Sequence, residues 1–365
     1  MSDTSIAAPK SGNSLLLSAF RWLGVIAALI WLLQAVTGIL LTYYFEINDT
    51  LLSSVEAPKD YVAIEKTIES FEAEGGAAKA NWIWTTAGLE GRFFVNYTTE
   101  DGSSRNARVA GDGAVLLDTG EGEFTFLEWT REVHLSLASG KTGEWILAIS
   151  GIVLLGNLLV GLYRMWPRKE RWADALKPSR EGTQTERLRS WYRTLGLIGA
   201  VPAFIVVSAS VIIFFEHSIE DAIGAPLIFL PAIAPEGDGV GFAAAASAAE
   251  ASIPGSSFVG TTLPTSEDAT YRAWVNEPGE YFREGGYGGS LVFVNSNDGS
   301  IRGVWPLQEA SPAYKFMALP YPVHTGEISG PIGRVLVLLL GFWLMTMTII
   351  GLILFFRQRK DEAAS

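Results

Sequence analysis

Residues 134–162 read HLSLASGKTGEWILAISGIVLLGNLLVGL, and residues 324–352 read HTGEISGPIGRVLVLLLGFWLMTMTIIGL. The two stretches align without a gap at an offset of 190. Val133/Val323, His134/His324, Ser139/Ser329, Gly140/Gly330, Gly143/Gly333, Gly151/Gly341, Gly161/Gly351 and Leu162/Leu352 coincide. Each stretch starts on a lone histidine, passes a glycine-broken turn and continues as a long apolar helix. The pattern is that of a tandem duplication of membrane-embedded halves. A duplicated histidine sets two imidazoles at equivalent positions, which suits bis-histidine ligation about a pseudo-symmetry axis.

Working outward, four segments are apolar enough to cross about 30 Å of hydrocarbon, which takes about 20 helical residues. They run Trp22–Phe45, Trp145–Tyr163, Leu195–Phe215 and Val335–Phe356. The first has too long an apolar core for a cleavable signal peptide and is expected to stay helical through Thr42 and Tyr43. The chain is therefore expected to divide into a first span within 15–45 and an outer module at 46–126. A histidine segment with the second span follows at 127–166, and then a basic loop at 167–193. The third span lies within 194–216 and a second outer module at 217–320. A histidine segment with the fourth span occupies 321–357, ahead of a tail at 358–365.

Charge sets the orientation. Residues 163–193, YRMWPRKERWADALKPSREGTQTERLRSWYR, are dense in arginine and lysine. Arg21 precedes the first span, and Arg357, Arg359 and Lys360 follow the last. Such flanks stay cytoplasmic, so both termini are expected inside. The two long loops are acidic and face the other side; their negative charge exceeds the net −12 of the chain because the remaining segments are basic. This is no nucleic-acid signature. Cysteine is absent, which rules out disulfides, thiolate metal sites, covalent haem attachment and iron–sulfur clusters.

The outer loops resemble each other. In the first, Tyr61–Glu74 has helical apolar spacing, and strand-like runs follow at Asn81–Thr86, Arg92–Thr98 and Ala107–Asp118, with turns at Asp101-Gly102 and Asp112-Gly113. In the second, Val240–Ser252 is the helix and Ser257–Leu263, Thr270–Glu277 and Ser290–Val304 are strands, the last a hairpin turning at Asn297-Asp298-Gly299. The fold class expected is membrane α-helical, four spans in two repeated halves, with two small α+β modules outside.

Four spans, two α+β modules and the repeated span ends GLYRMWPR and GLILFFRQR resemble the PepSY-associated transmembrane family, from about Leu15 to Lys360. The resemblance implies PepSY-like periplasmic modules and a kinship with iron-regulated membrane proteins and ferric-siderophore reductases that hold haem b. It also implies that the outer histidines begin the second and fourth helices; His134 and His324 match them and would be the axial ligands of an outer haem. Helix capping or bonds to loop carbonyls are the alternative roles of these two residues. The family commonly has further histidines at the cytoplasmic start of the first and third helices. Here those stretches read SAFRWLG and SWYRTLG, with Phe20 and Tyr192 in the matching places. Tyrosine can ligate ferric haem; phenylalanine cannot. One haem at most is expected.

His217, which follows Glu216 at the exit of the third span with Glu220 and Asp221 beyond, is a candidate for a separate metal site with Glu216. An offset of 172 places it opposite Phe45, so it has no histidine counterpart. No P-loop, dinucleotide-binding glycine pattern or GxSxG elbow occurs. Electrons would then come from quinol or a reductase partner. Pro202, with Ser208 and Ser210, is expected to kink the third span. The polar Gln34, Thr37 and Asn157 are expected to bond between helices. The leading reading is a haem-containing, reductase-like component of ferric or ferric-siderophore uptake, embedded in lipid. The others are a non-catalytic scaffold that binds a partner or peptide, and a metal-binding membrane protein.

Overall fold

A computed structural model describes residues 12–74, 79–120, 123, 125–225, 228–280 and 289–364, with side chains described except at 12–21, 72–74 and 361–364. The chain divides into two compact units. One comprises Met1–Ile39, Glu132–Ser208 and Leu338–Ser365; the other comprises Leu40–Arg131 and Ala209–Val337.

The first unit is built from the spans. The helices run Gly12–Leu41, Gly140–Met165, Gln184–Phe214 and Gly330–Ala364, and all four are long and apolar enough to cross a membrane. Large apolar side chains such as Leu23, Ile26, Ile149, Val153, Ile198, Ile205 and Leu339 point outward. Water would penalise such a surface, whereas lipid is its proper solvent. Inside, the spans touch as a closed ring. Trp31 Nε1 of the first donates to the Ser150 carbonyl of the second at 3.2 Å. Met165 of the second packs on Gly196 of the third, and Trp343 of the fourth lies on Gly199 of the third. The Trp343 indole also donates to the Leu195 carbonyl at 2.8 Å. Gly341 of the fourth faces Ile39 and the Ala35 carbonyl of the first. Small residues at these crossings let the backbones approach, which is how helices associate where no hydrophobic force separates them from lipid. Pro202 lies inside the third helix.

The first span is shorter than its sequence suggests. It ends at Leu41; Thr42 and Tyr43 form a turn, and a new helix begins at Tyr44 and runs to Leu52. Arg334 explains the stop. Its guanidinium donates to the Thr42 carbonyl at 2.8 Å and to Glu46 Oε1 at 2.5 Å, and lies 4.4 Å over the Tyr43 ring. A carbonyl so engaged does not need the next helical turn.

The second unit differs from two separate modules. Among the described residues each long loop supplies four strands, and these eight join in one antiparallel sheet. The strands are β1 (Lys79–Thr85), β2 (Arg92–Thr98), β3 (Ser104–Ala110), β4 (Val115–Gly120), β5 (Ser257–Thr262), β6 (Thr270–Asn276), β7 (Ser290–Asn295) and β8 (Ile301–Trp305). Their order is β4-β3-β2-β1-β5-β6-β7-β8. The seam is β1 on β5, with Trp82 opposite Thr262, Ile83 opposite Thr261 and Trp84 opposite Gly260. Gly260 is required there, because a Cβ would sit 2.5 Å from the Trp84 ring.

Two helices, Tyr61–Glu74 and Phe242–Ser252, cover one face of the sheet and close a single core with Ile64, Ile83, Phe93, Val95, Phe258 and Val292. Tyr61 ties the two halves. Its ring meets Phe93, Phe242 and Phe258 edge-on at 6.5, 5.8 and 5.6 Å, and its hydroxyl donates to Glu250 at 2.9 Å. Glu65 of the first helix accepts from the Ala243 backbone N–H at 3.0 Å, capping the second. The modules are fused because each alone would leave an edge strand and half a core exposed.

Candidate functional site: the two histidine turns

Neither histidine begins a span. His134 lies near the end of a separate helix, Phe126–Ser136, and His324 near the end of another, Pro320–Thr325. Each helix is followed by a tight reversal and then by the span. The reversals match at the backbone. Gly140 and Gly330, where the spans begin, have φ of 56° and 58°. One turn on, a Cβ on Gly143 would lie 1.6 Å from the Ser136 carbonyl oxygen, and one on Gly333 would lie 2.1 Å from that of Gly326. Residues 136 and 326 are themselves equivalent in the repeat. The repeated glycines are thus there because the preceding helix end lies directly against the start of the span.

The two turns differ in how they reverse. Leu137 and Ala138 take left-handed φ of 52° and 50°, whereas in the second turn Gly326 takes φ of 82° and Glu327–Ser329 form a short 3-10 helix. Left-handed backbone at non-glycine residues costs roughly 1 kcal/mol or more per residue. The first turn therefore carries strain that the second avoids.

His134 is oriented by the first span. Its Nδ1 is 2.9 Å from Thr37 Oγ1. The Thr37 hydroxyl has one proton and directs it to the Leu33 carbonyl at 2.8 Å, with Gln34 O at 3.2 Å. It therefore accepts from His134, which makes the neutral imidazole the Nδ1–H tautomer and puts the lone pair on Nε2. Gly38 lies beside the ring: a Cβ there would come within 3.3 Å of His134 Cε1. Gln34, one turn along the same face, holds a buried amide nitrogen with no hydrogen-bond partner among the described residues. Thr37 thus makes the interhelical bond its sequence suggests, with a histidine as its partner. The role of Gly38 had no signal in the sequence, because only the packing shows what faces it.

His324 is half-buried, as is His134. Tyr192 packs against the fourth span, its ring and hydroxyl 3.7 and 3.8 Å from where a Cβ of Gly351 would be. The side chain of Phe20 lies outside the described residues. On the same stretch of the third span, Trp343 fills the space at Gly199, and Met165 and Met347 that at Gly196.

Glu216 and His217 open a short helix, Glu216–Ile223, after the third span. His217 is 82% exposed and its Nδ1 lies 3.3 Å from Glu220 Oε2. The Glu216 carboxyl is raised from its ordinary value by burial and then by the charge of Glu220. Among the described residues no three His, Cys, Asp or Glu side chains converge as a metal cluster.

No curated protein matches the chain. The profile of a family described as the PepSY-associated TM region matches residues 20–362. With four apolar helices of spanning length and a match over nearly its whole length, this multi-pass membrane protein belongs to the PepSY-associated TM family.

Proposed function

We propose that the chain is a haem-binding electron-transfer protein of a bacterial inner membrane, acting in reduction of ferric iron or a ferric siderophore. The observation that carries this reading is the setting of His134: its Nδ1 lies 2.9 Å from the Thr37 hydroxyl, and one turn along the same span the buried Gln34 amide nitrogen has no partner among the described residues. A hydrogen bond to the far nitrogen of a ligating histidine fixes its ring and raises its basicity. His134, through Nε2, and His324, at the equivalent place in the second turn, would be the residues that hold the haem iron. Gly38 leaves room at the ring edge. Haem b, when bound, supplies one-electron redox chemistry at a potential set by its ligands and burial.

One haem per chain is the expected load. Phe20 stands in one inner position, and beside Tyr192 the interhelical space is filled by Trp343, Met165 and Met347. Tyr192 remains the only inner candidate ligand in the sequence comparison. The basic loop and basic span ends support an orientation with both termini in the cytoplasm and the two long loops in the periplasm. The electron donor would be quinol or a reductase partner, since the chain has no nucleotide-binding motif of its own.

The test is the absorption spectrum of the purified protein after haem-replete expression, with a pyridine haemochrome assay. A Soret band, sharp reduced α and β bands and about one haem per chain support the proposal. A colourless protein overturns it in favour of a scaffold whose sheet unit binds a partner.

A further inference from the structure

The face of the sheet opposite its two helices carries a guanidinium with no carboxylate partner among the described residues. Arg272 lies in β6, in register with Thr262 of β5 and Phe293 of β7. Its guanidinium carbon is 4.8 Å from the Trp274 ring centre, 4.9 Å from Phe229 and 6.0 Å from Phe293. Its Nε is buried without a partner, and among the described residues its side chain donates no hydrogen bond. Arg272 lines a cleft of about 560 Å³, walled also by Leu263, Pro264 and Phe229, with Lys79 at its side.

Two other arginines of the sheet, Arg92 and Arg108, also hold a buried Nε without a partner, but their terminal nitrogens are engaged. Arg108 stacks 4.1 Å over Phe94 but reaches Glu128 at 3.2 Å and the Tyr44 hydroxyl at 3.3 Å. Arg92 donates to the Ser53 carbonyl at 3.1 Å. The acidic group in the cleft, Asp268, is already engaged. It accepts from the Ile233 N–H at 3.1 Å and the Thr270 hydroxyl at 2.6 Å, and lies 3.9 Å from Arg302. Burial pushes the Arg272 guanidinium below its ordinary value, opposed by Tyr314. Arg272 as a whole is half-buried, so its terminal nitrogens can be reached from the cleft, and a planar fork of donors matches a carboxylate. The aromatic rings leave flat apolar surface against which a ring can lie.

We propose that the Arg272 cleft is a binding site for a small carboxylate with a flat apolar body, the carboxylate on the guanidinium and the body against Phe229 and Phe293. This stands apart from the haem reading and uses none of its residues.

The test uses the full chain in lipid nanodiscs, with benzoate as probe and neutral benzamide as control, followed by saturation-transfer NMR and calorimetric titration. Benzoate should bind saturably, and benzamide about tenfold or more weakly. Arg272→Gln should weaken benzoate by about tenfold or more. Phe229→Ala, a change at an exposed side chain, should weaken it several-fold without altering the melting temperature; this variant decides the matter if Arg272→Gln does not fold. Arg272→Met should abolish binding while melting no lower than the wild type, because a merely structural arginine would lower the melting point on removal. Absence of saturable benzoate binding, equal binding of benzamide, or benzoate affinity unchanged in Phe229→Ala would overturn the proposal.

Discussion

Gly143→Ala is the sharpest probe of how the histidine turns are held. The added methyl would stand 1.6 Å from the Ser136 carbonyl oxygen and 2.7 Å from Ser139 Oγ. The nearer atom is backbone, so no rotamer change relieves the overlap, and the helix bearing His134 must move away from the span. Overpacking of this kind costs about 1–3 kcal/mol, or more where backbone shifts. Alanine returns about 1 kcal/mol of helix propensity. Gly156, in the same span, has nothing within 4 Å of its would-be Cβ, so Gly156→Ala keeps the propensity gain with no clash. The two variants should differ by roughly 2–3 kcal/mol, with Gly143→Ala the less stable. At about 2–4 °C per kcal/mol, that is a difference of roughly 4–12 °C in melting temperature. Thermal unfolding in detergent, followed by circular dichroism, reads it directly. If Gly143→Ala melts within about 2 °C of Gly156→Ala, the contact between helix end and span start is not as described and the reasoning about the repeated glycines fails.

Gly333→Ala should lose stability in the same sense, since its Cβ would lie 2.1 Å from the Gly326 carbonyl oxygen; the same melting assay checks it. His134→Ala and His324→Ala should each abolish a low-spin bis-histidine spectrum with equal severity, while His217→Ala leaves it intact; loss on removing His217 alone would replace the symmetric pair by another site. Thr37→Val should leave insertion unchanged but lower haem affinity by about 10–100-fold, read by haem transfer to apomyoglobin, because the imidazole loses the bond that fixes its tautomer. Reporter fusions at Gly113 and Gly255 should report periplasm and one at Gly182 cytoplasm; a cytoplasmic signal at Gly113 would reverse the orientation.

The spans, the histidine repeat and most strands were legible because each rests on local information. Apolar runs of membrane length, alternation in Arg92–Thr98 and the glycines after Asp101 and Asp112 all act over a few residues. Helix Tyr61–Glu74 and strand β2 have the bounds their patterns predict. Thr37 was visible as a polar group in a span; that its partner is His134, 97 residues away, was not.

The sequence by itself determined that this is a four-span membrane protein with two α+β loops and a histidine turn repeated before the second and fourth spans. Hydropathy, charge asymmetry and an ungapped internal match depend on no long-range contact. Only the tertiary structure decided three other points. The two loops share one eight-stranded sheet through the pairing of β1 with β5, a contact between segments far apart in the chain that side-chain alternation does not encode. The first span stops at Leu41 because Arg334 takes the Thr42 carbonyl. Arg272, an ordinary strand residue in the sequence, is ringed by aromatic groups from separate strands and a loop and has no acceptor among the described residues. Each of these is a matter of what lies opposite a residue in space, and that is set by packing rather than by its neighbours in the chain.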